Sequence, residues 1–224
     1  MPVVGGTAAG SRGTRSVCAA PGAPAAGAVS VRRVTDLART ARLDVLVEGY
    51  ACRPHVAGTV SLVRDEGRVI VVDPGMVADR DLILRPLRDL GVRPEDVTDV
   101  VVSHHHLDHT VNIALFPHAR VHDHWAVYDG DLWTSRDADG VDLSPSVRLL
   151  RTPGHTNEDI STLVGTADGV LAFTHTWWRP DGPVTDPYAP DASALAASRQ
   201  LLLAAADTIV PGHGPAFPAA EALT

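Results

Sequence analysis

Short runs of apolar and polar residues alternate along the chain and predict a mixture of strands and helices. The β-branched runs that indicate strands lie near 29–34, 43–48, 59–64, 68–73, 97–103, 120–123, 147–151, 161–165, 170–174 and 208–210. Asp65–Gly67 predicts the turn of a hairpin between two of them. Helical spacing covers 79–90, where Pro86 implies a kink or a late start, and 191–205, where Asp191 is the expected N-cap.

Strands and helices interleave in both halves of the chain, which favours an α/β fold of two packed sheets flanked by helices. Residues 1–28 are rich in Gly, Ala and Pro, so we expect a disordered N-terminal tail followed by one domain over 29–224. No stretch approaches the roughly 20 apolar residues of a membrane span. We therefore expect a cytoplasmic protein that does not engage a membrane.

The charge balance narrows the range of partners. The chain has 27 acidic and 19 basic residues and a formal net charge of −8. Nucleic-acid binding usually needs a basic surface that releases counterions. The composition therefore favours a small-molecule substrate over a nucleic acid, and it leaves a homodimer open.

One segment concentrates metal-binding side chains. After the apolar run that ends at Ser103, the chain carries His104, His106, Asp108 and His109. In an extended segment alternate side chains share a side, so His104 and His106 can face one point. Imidazole and carboxylate groups are ligands that zinc prefers, and the segment predicts a metal site.

Two further histidines follow predicted strands. His155 comes after Pro153 and Gly154, and His213 comes after Pro211 and Gly212. A Pro-Gly pair permits a tight turn that presents the next side chain at a sheet edge. With the first cluster, the chain has five histidines and one aspartate, enough for two sites of three ligands each.

These motifs, preceded by Val71–Gly75, resemble in content and order those of the metallo-β-lactamase superfamily. The resemblance extends from about residue 30 to the C-terminus. It implies an αββα sandwich, in which two mixed β-sheets are flanked by helices, with the metal site along one edge of the sandwich.

The resemblance also implies roles for individual residues. His104, His106 and His155 would form the first metal site, and Asp108, His109 and His213 the second. Asp108 would in addition act in catalysis by accepting a hydrogen bond from the nucleophile, whereas Asp73 would orient ligands without binding metal. The implied cofactor is zinc, as one or two ions, with iron or manganese as alternatives.

One position departs from the superfamily pattern. Thr176 stands where most members have an aspartate that bridges the two metals, and His175 precedes it in place of the usual glycine. Three consequences are open: a bridge by hydroxide alone, a weak or missing second metal, or replacement of the carboxylate by His175. We expect two metals with a weaker second site, because a neutral ligand offsets less charge.

The implied activity is that of a zinc-dependent hydrolase that uses a metal-bound hydroxide on a small ester, lactone, thioester or amide. A metal-dependent phosphodiesterase or ribonuclease, an iron-dependent oxygenase and a non-catalytic metal-binding domain of the same fold are alternatives.

The remaining candidate side chains are less specific. His105 is expected to point away from the ligands, and His122 and His124 are expected to be structural. The pair Trp177 and Trp178 suits a pocket wall or the core, and Arg179 suits a substrate carboxylate or the surface.

Overall fold

The structure is a computed structural model that describes residues 36–223. The strand expected at 29–34 and the disordered tail expected at 1–28 lie outside these residues, so both stay predictions. In chain order, the strands and α-helices of the described part are β1 (Arg42–Val47), β2 (Tyr50–Cys52), β3 (His55–Ala57), β4 (Val60–Asp65), β5 (Arg68–Val72), α1 (Asp81–Asp89), β6 (Asp99–Val101), α2 (Leu107–Thr110), β7 (Arg120–His122), β8 (Ala126–Asp129), β9 (Leu132–Ser135), β10 (Val141–Ser144), β11 (Val147–Arg151), β12 (Ile160–Thr166), β13 (Gly169–Thr174), α3 (Ala192–Ala205), β14 (Thr208–Pro211) and β15 (Phe217–Pro218).

Most of these strands belong to two mixed sheets. The larger sheet has the order β1-β4-β5-β6-β7-β8-β9, in which β5, β6 and β7 run parallel. The smaller sheet has the order β10-β11-β12-β13-β14-β15, with β13 and β14 as its parallel pair. The strands β2 and β3 form a separate hairpin. Parallel neighbours need crossover connections, and these connections contain the three α-helices.

Alternation of side chains along the strands produces the sandwich. Val63, Ile70 and Val101 of the larger sheet pack between the sheets against Leu149 and Val210 of the smaller one. Their neighbours along each strand point to the opposite face, because successive strand residues alternate. Both faces of each sheet are therefore available for burial.

Helices cover the outer faces. Ile83 and Leu87 of α1 pack in one apolar cluster with Val71 and Val100 of the larger sheet. Leu202 of α3 packs in a second cluster on the smaller sheet. The αββα sandwich predicted from the sequence is confirmed.

The two long helices match their predictions closely. The helix α1 begins at Asp81, two residues after the predicted start, and contains Pro86. The carboxylate of Asp191 caps α3 by accepting hydrogen bonds from the backbone N–H groups of Ser193 and Ala194, at 2.8 and 3.2 Å. Within residues 36–223 no helix is both long and apolar enough to cross a membrane.

The strand predicted over 97–103 is present but shorter, and the histidine cluster that follows it is not extended. The strand β6 covers only Asp99–Val101, and α2 follows at Leu107. The reason is the Asp73 carboxylate, which accepts a hydrogen bond from the backbone N–H of Ser103 at 2.7 Å. This side chain takes the donor that a continuing strand would use, so the histidines lie on a bent loop and a helical turn.

Several strands carry no sequence signal. The pattern missed the strands β2, β3, β8, β9, β10 and β15. The residues of β9 are all exposed, and β2 and β3 have three residues each. Period-two alternation needs a longer, half-buried strand to be visible.

Gly75 lets two segments of the site come together. A Cβ atom at this position would overlap the backbone carbonyl oxygen of Asp108. That same oxygen accepts a hydrogen bond from the backbone N–H of Gly58 at 3.0 Å. The backbone of Asp108 is thus held between two glycine-containing segments, which fixes where its carboxylate lies.

We predict that Gly75→Ala lowers the free energy of unfolding by about 1–3 kcal/mol, the usual cost of overpacking a tight contact. Urea denaturation monitored by circular dichroism measures this. Gly214→Ala is the matched control, because a Cβ there meets its nearest atom, on Pro180, at an ordinary 3.4 Å. Equal stability of the two variants would contradict this account.

Candidate metal centre

The candidate residues meet at one edge of the sandwich. The segment 104–109 follows β6, and His155, His175 and His213 follow β11, β13 and β14. Asp73 comes directly after β5 and has a positive φ of 51°. The ends of strands from both sheets therefore carry the side chains of the site. The Pro-Gly turns predicted this position at a sheet edge for His155 and His213.

The first group consists of three imidazoles whose ring nitrogens converge. His104 Nε2 lies 3.0 Å from His106 Nδ1, and His155 Nε2 lies 3.1 Å from the same atom. The potential ligand atoms of these three residues all fall within 4.8 Å of one another. The structure thus brings together the three residues predicted for the first site.

The second group contains one carboxylate and two imidazoles. Asp108 Oδ2 lies 3.6 Å from His109 Nε2 and 3.5 Å from His213 Nε2. His109 Nε2 is buried and has no hydrogen-bond partner among the described residues. The three residues predicted for the second site therefore also lie together.

Both groups fit a divalent metal. Tetrahedral zinc with bonds of about 2.0–2.1 Å holds neighbouring ligand atoms about 3.3 Å apart. The spacings of 3.0–3.6 Å in the two groups are close to this value. A buried nitrogen without a partner is costly unless something binds it, and His109 Nε2 meets this condition.

Hydrogen bonds behind the rings orient three of the imidazoles. The Nδ1 atoms of His109 and His155 face the carboxylates of Asp73 and Asp186 at 2.9 and 2.8 Å. His213 Nδ1 donates to the backbone carbonyl of Ala57 at 2.9 Å. A proton on Nδ1 leaves the Nε2 lone pair toward the centre of the site, as metal ligation requires. Asp73 therefore occupies the orienting position predicted for it.

Burial and mutual proximity favour neutral rings at His104 and His106. Burial, followed by the charges that neighbouring imidazoles would carry, holds the pKa of His104 well below its ordinary value. Burial also lowers the pKa of His106. For His109, burial acts downward, but the charge and hydrogen bond of Asp73 outweigh it and raise the pKa. A field that favours a proton on His109 also favours a metal cation there.

Position 176 does not contribute to either group. Thr176 is fully buried, and its hydroxyl lies 3.0 Å from the hydroxyl of Thr174. His175 instead enters the centre, where its Nε2 lies 3.0 Å from His213 Nε2. Of the three consequences drawn from the missing aspartate, the inward position of His175 is the one that the geometry supports.

Other candidate side chains lie elsewhere. His105 faces Asp123 at 3.2 Å, and His122 contacts the buried carboxylate of Asp99 at 2.8 Å. Neither His105, His122 nor His124 joins a potential metal-binding group of the described residues. Arg179 pairs with Asp181 on the surface.

An open cavity of about 430 Å³ lies over the two groups. Its base includes His106, Asp108, His155 and His213. Its walls come from the β2–β3 hairpin and from a pair of stacked aromatic rings, and the residues that form them are Ala51, Arg53, Pro54, His55, Val56, Trp178 and Tyr188. Trp178 therefore lines the pocket, whereas Trp177 is buried in the core.

The sequence did not indicate Asp186 or the β2–β3 hairpin. The Asp186 carboxylate lies 2.8 Å from His155 Nδ1 and also accepts a hydrogen bond from the Trp178 indole at 2.9 Å. Burial acts to raise the pKa of Asp186, but these hydrogen bonds and that of the Tyr188 backbone outweigh it, so the pKa is lowered. A lone aspartate between proline-rich segments carries no motif that could have revealed this role.

The family model of the metallo-beta-lactamase superfamily matches residues 53–176, more than half of the chain. The chain belongs to the metallo-beta-lactamase superfamily. It is accordingly an enzyme of the metal-dependent hydrolase class, with a metal cofactor.

Two relatives show which protein of the superfamily the chain is similar to in sequence. Metallo-beta-lactamase domain-containing protein 1 of Xenopus laevis is 33% identical over 188 residues, which cover 78% of this chain and 80% of that protein. The Homo sapiens protein of the same name is 37% identical over 157 residues, or 66% of this chain and 59% of its own length. Within the superfamily, the sequence of segments 109–117 and 206–217 also predicts similarity to this protein, and the two relatives confirm it.

Solved structures share the fold. A metallo-beta-lactamase family protein from Thermus thermophilus has a TM-score of 0.61 at 18% identity, covering 80% of this chain and 75% of its own. TTHA1623, in a di-iron-bound form, has a TM-score of 0.58 at 21% identity, with 78% and 96% covered. A quorum-quenching N-acyl homoserine lactone lactonase has a TM-score of 0.52 at 18% identity, with 71% and 84% covered.

We predict that Asp186→Asn lowers the affinity of the first group for zinc about 10–100-fold, because the His155 ring loses its charged acceptor. Chelator competition measures the dissociation constant. The control is Asp181→Asn, on the same loop, whose carboxylate is 79% exposed and pairs only with Arg179 among the described residues. A loss of affinity in both variants, or in neither, would contradict the assigned role of Asp186.

Proposed function

We propose that the chain is a zinc-dependent hydrolase of a small ester, lactone, thioester or amide. The observation that carries the proposal is the position of His106 Nδ1, which lines an open cavity and lies 3.0 and 3.1 Å from the Nε2 atoms of His104 and His155. Three neutral imidazoles leave a zinc ion one free position, which is the arrangement of catalytic zinc sites.

We assign the second group, Asp108, His109 and His213, to a second metal. When bound, the metal of the first group would supply a water of lowered pKa at its free position. Zinc is proposed because imidazoles outnumber carboxylates among the six candidate ligands, although iron and manganese accept similar ligands.

Asp108 is the proposed catalytic residue. Its carboxylate lines the cavity and is partly exposed, with 17% of the side chain accessible. One oxygen faces His109 and His213, and the other, which has no hydrogen-bond partner among residues 36–223, can accept a hydrogen bond from the attacking water. This contact would orient the water toward a carbonyl carbon in the cavity and receive its proton.

The cavity suits a compact substrate. Its volume of about 430 Å³ lies within the usual range for small-molecule sites, about 300–1,000 Å³. The rings of Trp178 and Tyr188 stack 5.7 Å apart and offer an apolar wall. The net charge of −8 disfavours a long polyanion, so phosphodiester hydrolysis is the second candidate and an arm of the experiment below.

We expect His106→Ala to lower kcat/KM at least about 100-fold, since removal of the oriented groups behind a ligand alone costs about 10–100-fold. The measurement is a panel of ester, lactone, thioester, amide and phosphodiester substrates with the zinc-loaded enzyme. His105→Ala is the adjacent control, expected to stay within about two-fold.

Three outcomes decide this proposal. Hydrolysis of carbonyl substrates that is lost in His106→Ala and retained in His105→Ala supports it. Turnover of phosphodiesters alone would replace it with the second candidate, and no turnover by a protein that holds its full zinc content would refute the hydrolase assignment.

Arg53 gives the mouth of the cavity a positive charge. It is exposed on the β2–β3 hairpin, and no carboxylate of residues 36–223 forms an ion pair with it. We expect Arg53→Ala to raise KM at most about five-fold for substrates with a carboxylate, because an exposed ion pair contributes about 0.2–1 kcal/mol.

Steady-state kinetics with matched neutral and carboxylate-bearing esters test this expectation. Arg42→Ala, an exposed arginine on β1 away from the cavity, is the control. An equal change for neutral and charged substrates would show that Arg53 does not recognise charge.

A further inference from the structure

His175 lies between the two groups. Its ring centroid is 4.1–4.9 Å from those of four candidate ligands, which are His104, His109, His155 and His213. The side chain is buried, with 2% of the residue exposed. One potential metal-binding group joins it to His104 and His109, and another joins it to His155 and Asp186.

Gly212 provides the space for this ring. A Cβ atom at position 212 would lie 2.8 Å from His175 Nε2 and closer still to Cδ2. The turn that presents His213 therefore also admits His175. The two side chains are held against each other by the backbone, so their contact does not depend on a mobile loop.

The close contact between His175 and His213 requires a proton or a metal ion between the two ring nitrogens. Their Nε2 atoms are 3.0 Å apart. His213 Nδ1 carries a proton, because it donates to the carbonyl of Ala57. In the neutral ring His213 Nε2 is therefore a lone pair, and either a proton on His175 Nε2 or a metal ion must face it.

The proton alternative removes one candidate ligand from the second group. If His175 Nε2 carried the proton, its buried Nδ1 would be a lone pair without a hydrogen-bond partner in the described structure. His213 Nε2 would also be occupied and lost as a ligand for the Asp108 group. With a metal at the two Nε2 atoms, both lone pairs are used and His213 stays in the Asp108 group, whereas the buried His175 Nδ1 lacks a partner among the described residues in either case.

We propose that His175 is a fourth protein ligand of the second metal site, bound through Nε2 together with Asp108, His109 and His213. This inference rests on the metal centre of the proposed function. It assigns to the imidazole of His175 the role that the missing aspartate at position 176 would have.

The proposal makes the two sites unequal. Four protein ligands complete a tetrahedral zinc, as in structural sites, whereas the first group supplies three and leaves a position open. The second ion is then held firmly, in contrast to the weaker second site expected from the sequence.

Cobalt substitution of the wild-type protein tests the coordination directly. Four-coordinate Co²⁺ absorbs visible light far more strongly than five- or six-coordinate Co²⁺, so each equivalent added to metal-free protein reports the geometry of the site it fills. We expect two equivalents to bind, one of them with strong tetrahedral bands that do not change on addition of a small anion.

Variants identify the ligand. His175→Ala is expected to lose the anion-insensitive tetrahedral spectrum and to bind its second zinc at least about 100-fold more weakly, beyond the 10–100-fold effect of indirect partners. Thr176→Val is the matched control, because Thr176 is the buried neighbour that bonds Thr174, and it should bind both ions unchanged. Circular dichroism confirms that each variant is folded.

The outcomes separate this inference from the proposed function. Wild-type protein that binds two ions, with unchanged affinity and spectrum in His175→Ala, overturns the role of His175 and leaves the hydrolase proposal standing. Loss of the second ion in Thr176→Val but not in His175→Ala overturns it as well. Wild-type protein that binds no metal removes the basis of both. Should His175→Ala not fold, the cobalt spectrum of the wild type decides alone, and two anion-sensitive sites would refute the inference.

Discussion

The constraint on which the site depends is the burial of many imidazole lone pairs in one small volume. Six histidines place ring nitrogens at the same edge of the sandwich, and nitrogen pairs lie as close as 3.0 Å. In the low-dielectric interior, such lone pairs repel unless protons or metal ions lie between them. Protonation is opposed by burial at His104 and His175, whose pKa values are both well below the ordinary value. Metal ions therefore satisfy this arrangement best.

The fold orients these rings through hydrogen bonds to the nitrogens that face away from the centre of the site. The carboxylates of Asp73 and Asp186 and a backbone carbonyl at Ala57 hold three Nδ1 atoms, so the opposite nitrogens have one direction available. Asp73 also ends β6 by binding the Ser103 backbone. A single side chain thus shapes the loop that carries His104 and orients His109 at the same time.

Much of this could be predicted from the sequence where the signal is local. The Pro-Gly turns before His155 and His213 need only neighbouring residues, and the helix cap at Asp191 is equally local. The conformation of 102–110 could not be predicted, because it depends on Asp73, about 30 residues earlier in the chain. Asp186 contacts His155, which is also about 30 residues earlier in the chain, so no local motif indicates its role. The strand β9 is exposed throughout and therefore shows no periodic pattern. The inward position of His175 was one of several alternatives that the sequence left open. It depends on packing against Gly212, which the sequence does not show.

Anomalous X-ray diffraction at the zinc absorption edge, on crystals of the zinc-loaded protein, tests the two-metal centre most directly. We predict two peaks of anomalous density. One lies between His104, His106 and His155, and the other lies between Asp108, His109, His175 and His213. A single peak, or two peaks with the His175 ring outside bonding distance of both, would contradict this prediction.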